Sequence, residues 1–243
     1  MVNFCIDKGN TRIKIAVFVD NELVFDAIQN EINYPAFKAL IDKFKPSACI
    51  LSNVGSDDLV MKCFLQSEFA FFLEFDSTTP VPIKNAYKSP QSLGKDRLAA
   101  AVGAAFIKPN SNILVVDAGT AITYDFVDAA GVYHGGNIAP GLNMRLKALN
   151  EFTINLPLVE LVDSDELLGF DTNSAILLGA LKGIEFEING YFKALNFKYP
   201  ELSIFLTGGN SNYFVSKLKS PIFAQKNLVL TGLNRILQFN VKK

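Results

Sequence analysis

The chain carries one local pattern twice. Residues 2–7 form an apolar run that enters Lys8-Gly9-Asn10-Thr11 and resumes as an alternating stretch over 12–19, and residues 113–117 enter Ala118-Gly119-Thr120 and resume over 122–127. In each case an Asp closes the first run (Asp7, Asp117) and a Gly stands two places on, so each reads as two short strands joined by a tight polar turn. A chain with one such unit in each half is constrained to a duplicated fold, with halves at 1–110 and 111–243.

The turn has a chemistry of its own. A carboxylate at the end of a buried strand can hold a hydrated cation, while the Gly and the following Asn or Thr leave N–H groups and side-chain donors for phosphate oxygens. Two such turns would make a metal–phosphate clamp. Either turn alone is equally well an ordinary hairpin; their repetition favours the clamp.

Bulk properties narrow the function class. With 243 residues, 49% of them hydrophobic, the chain can fill one large core or two smaller ones. A formal net charge of -1, from 23 basic and 24 acidic residues, gives no electrostatic footprint for nucleic acid or a membrane surface. Small-molecule chemistry is expected. No apolar run has the length of a membrane span, and Asp7, Lys8, Arg12 and Lys14 interrupt what a signal peptide would keep apolar, so a cytoplasmic protein is expected. Cys5, Cys49 and Cys63 lack metal-site spacing, sit in apolar runs and are expected to be buried thiols. The single histidine, His134, reads as an ordinary strand residue and leaves no material for a Ser-His-Asp or Cys-His triad.

Along the first half, a third strand over 23–28 completes an antiparallel meander. A helix over 35–44 follows, with Phe37, Leu40, Ile41 and Phe44 at helical spacing. A buried strand over 48–51, a helix over 57–69 with Leu59, Val60, Phe64 and Leu65 inward, and a strand over 71–75 come next. This βββαβαβ order mixes a meander with parallel crossovers and predicts an α/β domain with a mixed sheet. Residues 76–92, with Pro80, Pro82 and Pro90, read as an irregular connector in which Tyr87 is either a surface aromatic or a ligand cover. Gly94-Lys95-Asp96-Arg97 then opens a small-residue helix over 98–107, where Asp96 suits the helix dipole and also stands at the helix mouth with Gly and Arg.

The second half repeats the plan with strands over 113–117, 122–127 and 132–138. Gly135-Gly136-Asn137-Ile138-Ala139-Pro140-Gly141 leads into a helix over 142–149. A long helix is expected over 173–194, punctuated by Gly179, Gly183 and Gly190 where another backbone could approach, then a strand over 202–206 and a closing helix over 228–239. Thr207-Gly208-Gly209-Asn210 is either a nucleotide-facing turn or a tight βα loop. Neither GxxxxGK[ST] nor GxGxxG occurs, which removes the main support for P-loop and dinucleotide-binding readings.

Four motifs taken together resemble the signatures of type III pantothenate kinase. They are Asp7-Lys8-Gly9-Asn10-Thr11; Gly94-Lys95-Asp96-Arg97; Asp117-Ala118-Gly119-Thr120-Ala121 with Thr123 and Asp125; and the Gly135-to-Gly141 run. The resemblance covers nearly the whole chain in family order. It implies duplicated ribonuclease H-like domains of the actin, hexokinase and Hsp70 kind, α/β with mixed sheets, and ATP or another nucleoside triphosphate in an interdomain cleft. It also implies transfer of the γ-phosphoryl group to pantothenate, the first step of coenzyme A synthesis. Carried over by position, Asp7, Lys8, Gly9, Asn10, Thr11, Arg12, Ile13 and Lys14 would bind nucleotide phosphates and hydrated Mg²⁺, with Thr120 adding a nucleotide contact. Asp117 would hold a monovalent cation, K⁺ or ammonium. Tyr87, Gly94, Lys95, Asp96 and Arg97 would line the pantothenate pocket, with Asp96 as catalytic base. Thr172 would be a further substrate contact, although Asp171 stands where the family pattern leads one to expect Asn. The resemblance further implies a homodimer whose pocket is completed near the subunit interface. Two rival classes are a kinase of another small hydroxylated metabolite and a non-catalytic nucleotide switch of the same fold.

Overall fold

The computed structural model describes residues 1–9, 11–55, 58–218 and 221–241, which group into two compact units. The first unit is Met1–Pro109 with Gly131–Tyr133 and Asn227–Lys243; the second is Asn110–Ala130 with His134–Lys226.

In the first unit, β1 (Val2–Lys8), β2 (Ile13–Val19) and β3 (Glu22–Gln29) form the meander, followed by α1 (Tyr34–Phe44), β4 (Ala48–Asn53), α2 (Leu59–Glu68) and β5 (Phe71–Glu74). The strands lie in the order β3-β2-β1-β4-β5. β1 is antiparallel to β2 and parallel to β4, and β4 is parallel to β5. β4 is buried along its whole length, as a parallel strand covered on both faces must be, whereas the edge strand β3 alternates between exposed and half-buried positions. α1 starts where Asn33 Oδ1 accepts from the Ala36 N–H at 2.9 Å and Pro35 occupies the first turn, and it stops at Lys45 in the left-handed region (φ 48°). Phe37 and Ile41 bury into a core with Phe4, Ile6, Ile15 and Leu51, and Leu40 and Phe44 pack at its edge.

Two expectations for α2 are corrected. Its buried residues are Met61 and Leu65, while Leu59 and Val60 are exposed; one residue's rotation of the apolar stripe, about 100° on a helix, turns that pair outward. The same rotation exposes Cys63, whereas Cys5 and Cys49 are fully buried and burial pushes their thiols up, out of reach of thiolate chemistry. Asp57, taken as the helix start, lies outside the described residues; Asp58 is the N-cap.

The connector holds the two-residue β6 (Lys84–Asn85) and a 3-10 turn at Pro90–Ser92 before α3 (Lys95–Ile107). The closing helix α7 (Leu228–Val241) also belongs to this unit, so the division departs from halves at 1–110 and 111–243. α7 packs along α3 at very short range. A Cβ on Gly232 would stand 1.8 Å from the Ala99 carbonyl oxygen, and one on Gly103 would stand 2.5 Å from that of Leu228. The small residues of α3 are thus used inside the chain.

The second unit contains β7 (Ile113–Ala118), β8 (Ala121–Val127), most of β9 (Val132–Pro140), α4 (Leu142–Glu151), α5 (Thr172–Lys198), β10 (Ser203–Thr207), α6 (Asn212–Val215) and β11 (Ile222–Ala224). Its strand order, β9-β8-β7-β10-β11, reproduces that of the first unit term by term, with β7 antiparallel to β8 and parallel to β10, and β10 parallel to β11. The duplicated ribonuclease H-like plan is therefore built twice. Val132 and Tyr133, grouped with the first unit, pair in parallel with β6. Among the described residues no backbone outside the helix meets α5 at its glycines: Gly179 and Gly190 face nothing within 4 Å, and Gly183 faces the guanidinium of Arg145. No helix among the described residues is long and apolar enough to cross a membrane.

Candidate active site

In the first unit the Asp-x-Gly turn closes when the Gly9 N–H donates to the Arg12 carbonyl at 3.0 Å. Asp7 is buried at the end of β1, in register with Ser52 of β4, and Lys8 is in register with Asn53. Lys8 Nζ pairs with Asp58 at 2.7 Å, so a residue absent from the sequence motifs holds its ammonium. The same carboxylate caps α2 through the Met61 N–H at 3.0 Å, and the Lys8 hydrogen bond and then that cap hold Asp58 below the usual aspartate range. Thr11 and Arg12 are exposed on the turn and Lys14 is half-buried on β2. Ile13 is a core residue, 4% exposed, and can meet a ligand only through its backbone. Asn10 lies outside the described residues.

The second motif of this unit comes to the same strand end. Lys95 Nζ, at the start of α3, donates to the Asn53 carbonyl at 3.0 Å, tying the helix mouth to β4 beside Lys8. A Cβ on Gly94 would stand 2.6 Å from Asp96 Oδ1 and displace that carboxylate. Asp96 is half-buried, and its Oδ1 accepts from the Arg97 N–H at 2.8 Å. Arg97 is buried, with its guanidinium 5.9 Å from the centre of the Tyr87 ring, which in turn lies 6.2 Å from that of Tyr133. The Tyr87 ring is half-buried beside Arg97.

In the second unit Asp117 is half-buried at the end of β7, in register with Thr123 of β8 and Thr207 of β10. The Gly119 N–H closes the turn on the Ala121 carbonyl at 3.1 Å and leaves Thr120 exposed. Two other backbone segments press on this turn. Gly208, at φ +95°, approaches so closely that a Cβ would stand 2.5 Å from both Asp117 Oδ1 and the Ala118 carbonyl carbon, and the Asn210 N–H donates to the Ala118 carbonyl at 3.0 Å. Gly141 lies against the turn from elsewhere, where a Cβ would stand 2.1 Å from the Thr120 carbonyl oxygen. The Gly-rich run 207–210 thus supports the Asp117 turn directly, a role that sequence alone left open.

Thr172 is the exposed first residue of α5, and the unexpected Asp171 has a local structural use. Its Oδ1 accepts from the Ser174 N–H at 2.7 Å while Ser174 Oγ accepts from the Asp171 N–H at 3.0 Å, a reciprocal cap of the helix.

The donor sets suit hard cations bound with water and phosphate. Among the described residues no group of three or more His, Cys, Asp or Glu side chains could hold a metal alone. Mg²⁺ asks for less, since one or two carboxylates, water and substrate phosphates suffice. Asp7 fits that role, and Ser52 beside it in register carries a buried Oγ with no hydrogen-bond partner among the described residues. Around Asp117, the absence of a Cβ on Gly119 and Gly208 lets backbone come close to the carboxylate, where one would stand 3.3 and 2.5 Å from Oδ1, and a carboxylate beside backbone carbonyls suits an oxygen-liganded monovalent cation.

Comparison with known proteins agrees with this geometry. A family model described as type III pantothenate kinase matches residues 3–194. A type III pantothenate kinase of Phocaeicola vulgatus is 45% identical over 241 residues, 99% of this chain and 100% of that protein. One of Bacteroides fragilis is 46% identical over 239 residues, 98% of each chain. Among solved structures, a Campylobacter jejuni protein described as a conserved Baf family transcriptional activator superposes with a TM-score of 0.65 at 22% identity, over 99% of this chain and 100% of that one. A ROK hexokinase from Thermus thermophilus gives 0.51 at 15% identity, over 99% and 100%. Those two likenesses bear on the fold, which is that of hexokinase-like kinases. The close relatives and the family model bear on descent: this chain belongs to the type III pantothenate kinase family.

Proposed function

We propose that the protein transfers the γ-phosphoryl group of ATP, or of another nucleoside triphosphate, to the primary hydroxyl of pantothenate, giving 4'-phosphopantothenate at the first step of coenzyme A synthesis. The observation that carries this reading is the tie between the two motifs of the first unit: Lys95 anchors the Asp96 helix mouth to the strand end that runs beside Asp7 and Lys8. Phosphoryl transfer asks for positioning and charge neutralisation more than for covalent chemistry.

In this reading the turn from Asp7 to Lys14 receives the nucleotide phosphates, through side chains at Thr11, Arg12 and Lys14 and the backbone at Ile13. Thr120 adds a nucleotide contact. Asp7, with Ser52 beside it, holds hydrated Mg²⁺, and Asp117 holds K⁺ or ammonium; when bound, these ions neutralise phosphate charge. Asp96 accepts the hydrogen bond of the pantothenate hydroxyl and orients it for in-line attack. Tyr87 and Arg97 form a wall of the pocket, and Thr172 contributes a further contact. Lys95 fixes the helix mouth with one donor of its ammonium on the Asn53 carbonyl and faces pantothenate with the others. The protein acts in the cytoplasm as a homodimer.

A coupled assay of ADP release, with and without pantothenate, tests the reading. Pantothenate-dependent release is expected. ADP release that ignores pantothenate but follows another small alcohol would transfer the reading to a different acceptor, and nucleotide binding without turnover on any acceptor would leave a nucleotide switch. Exchanging K⁺ for Na⁺ should depress turnover strongly, and undiminished activity in Na⁺ would remove the cation role from Asp117.

A further inference from the structure

Beyond the residues that the family motifs supply, one side chain holds the backbone behind the second Asp-x-Gly turn. Arg145 lies on α4, one helical turn after Gly141. Its backbone N–H donates to the Gly141 carbonyl at 3.0 Å and its Nε donates to the Pro140 carbonyl at 2.9 Å, so one residue fixes both carbonyls of the Pro140-Gly141 corner. That corner bears on the nucleotide turn, since a Cβ on Gly141 would stand 2.1 Å from the Thr120 carbonyl oxygen and 2.6 Å from that of Gly119. At its other edge the guanidinium is anchored: Nη2 pairs with Glu187 of α5 at 2.7 Å. Glu187 also accepts from the hydroxyl of Tyr124 at 3.0 Å, and Tyr124 is a buried residue of β8 in register with Val116 of β7. α5 makes room with Gly183, where a Cβ would stand 3.4 Å from Nη1.

These contacts close a ring. From β8 it runs through Tyr124, Glu187 and Arg145 to the Pro140-Gly141 corner, and through Gly119 and Thr120 back to β8. Burial, and then the Glu187 carboxylate, hold the Tyr124 hydroxyl protonated, so it stays a donor at any working pH. The donors of Arg145 face a carbonyl and a carboxylate within the protein, which argues for a positioning role over a direct phosphate contact. A lysine has one ammonium in place of the planar fork and cannot serve both partners in this geometry. A phosphate-facing turn works by being held before the ligand arrives.

We propose that Arg145, anchored by Glu187, is a positioning residue that sets the Gly119-Thr120 turn for nucleotide binding; the proposal rests on Thr120 being a nucleotide contact. Calorimetric titration of the full-length protein with ATP, for wild type, Thr120→Ala, Arg145→Lys and Arg145→Ala, tests it separately from catalysis. Arg145→Ala is expected to weaken ATP about tenfold, the size of one lost charge-assisted hydrogen bond. Arg145→Lys should fall between wild type and Arg145→Ala, and KM for pantothenate should stay within about twofold throughout, as expected for uniform loss of nucleotide binding. Should Arg145→Ala fail to fold, Arg145→Lys and Glu187→Gln carry the test, each expected to weaken ATP by about two- to fivefold. If Thr120→Ala weakens ATP while the folded Arg145 and Glu187 variants bind like wild type, the positioning role is overturned and the site reading stands. Parallel loss of affinity for ATP and pantothenate would also overturn it, since that is the signature of general loosening. ATP binding unaffected by Thr120→Ala would instead remove the site reading on which the proposal rests.

Discussion

In the proposed reaction Asp96 would orient the pantothenate hydroxyl. It stands in the first turn of α3, half-buried, with one oxygen on the Arg97 N–H and with Gly94 leaving room beside it. Asp96→Asn keeps the shape and loses the acceptor charge, so turnover should fall roughly 10²- to 10⁴-fold, the usual range for a positioned acid–base group. Pantothenate binding should weaken much less, because the lost interaction strengthens in the transition state. Calorimetry showing pantothenate binding abolished while saturated turnover stays near wild type would make Asp96 a binding residue instead. Asp58 has a stability role that pH exposes. Its carboxyl is held below the ordinary aspartate value by Lys8 and the α2 cap, so its contribution is complete above that value and is lost as pH falls through the depressed one. Asp58→Asn keeps a good N-cap and removes the charge pair. Near neutrality it should cost about 1 kcal/mol in urea unfolding, and in acid below the aspartate range the gap to wild type should close. An equal gap at both pH values would mean that the charge is not the cause. At this scale the motif residues were legible in sequence because Gly, Asp and Thr at fixed spacing advertise a turn. Asp58, Ser52 and Arg145 were not, because pairing across strands and helices leaves no local spacing to read.

Elements were legible wherever apolar periodicity was long. The strands of both meanders were expected within a residue or two of where they lie, as were α1 and α4, while α3 begins three residues earlier than expected, at Lys95. β6 and β11 were not anticipated, since two and three residues of strand carry no alternation to detect. The misjudged stripe of α2 has a similar cause: Leu59 and Val60 are apolar but precede the face defined by Met61 and Leu65. What no local pattern could give is the partner of an element. The alanines of α3 signalled close packing, and the structure supplies α7 as the neighbour, with Gly232 against the Ala99 carbonyl. Gly232→Ala should therefore lower the thermal midpoint by the overpacking cost of about 1–3 kcal/mol, and it should lower turnover as well by shifting the helix that carries Asp96. Gly190→Ala makes the contrast. Among the described residues nothing outside the helix backbone stands within 4 Å of a Cβ there, so alanine's helix preference of about 0.8–1.0 kcal/mol should raise the midpoint. A Gly232→Ala protein as stable as wild type would show that α3 and α7 can separate at little cost.

At the scale of the whole molecule the duplication was readable from two turns, and the strand order confirms it in both sheets. The return of α7 to the first unit was not readable, since an amphipathic helix carries no address. The homodimer that we propose would find a candidate surface in the second unit. Between α4 and α5 no helix or strand forms, yet the segment is held: Lys217 Nζ donates to the Ser164 carbonyl at 3.0 Å and pairs with Asp163, and a Cβ on Gly169 would stand 2.2 Å from the Ala175 nitrogen. Leu156, Val159 and Leu161 pack against the core, but other apolar side chains face outward, with Ile154 at 99% and Phe170 at 86% exposure, and Phe152 and Leu168 exposed as well. A fixed backbone that presents large apolar groups to water is the signature of a surface that another protein covers. Because Phe170 stands two residues before Thr172, for which we propose a substrate contact, covering this segment would also order that residue. Sedimentation equilibrium should give twice the 26.7 kDa chain mass, and Ile154→Asp with Phe170→Asp should shift the protein to monomer and depress pantothenate turnover together. A wild-type monomer with full activity at assay concentration would remove the shared pocket. A double variant that stays dimeric would move the interface to another face.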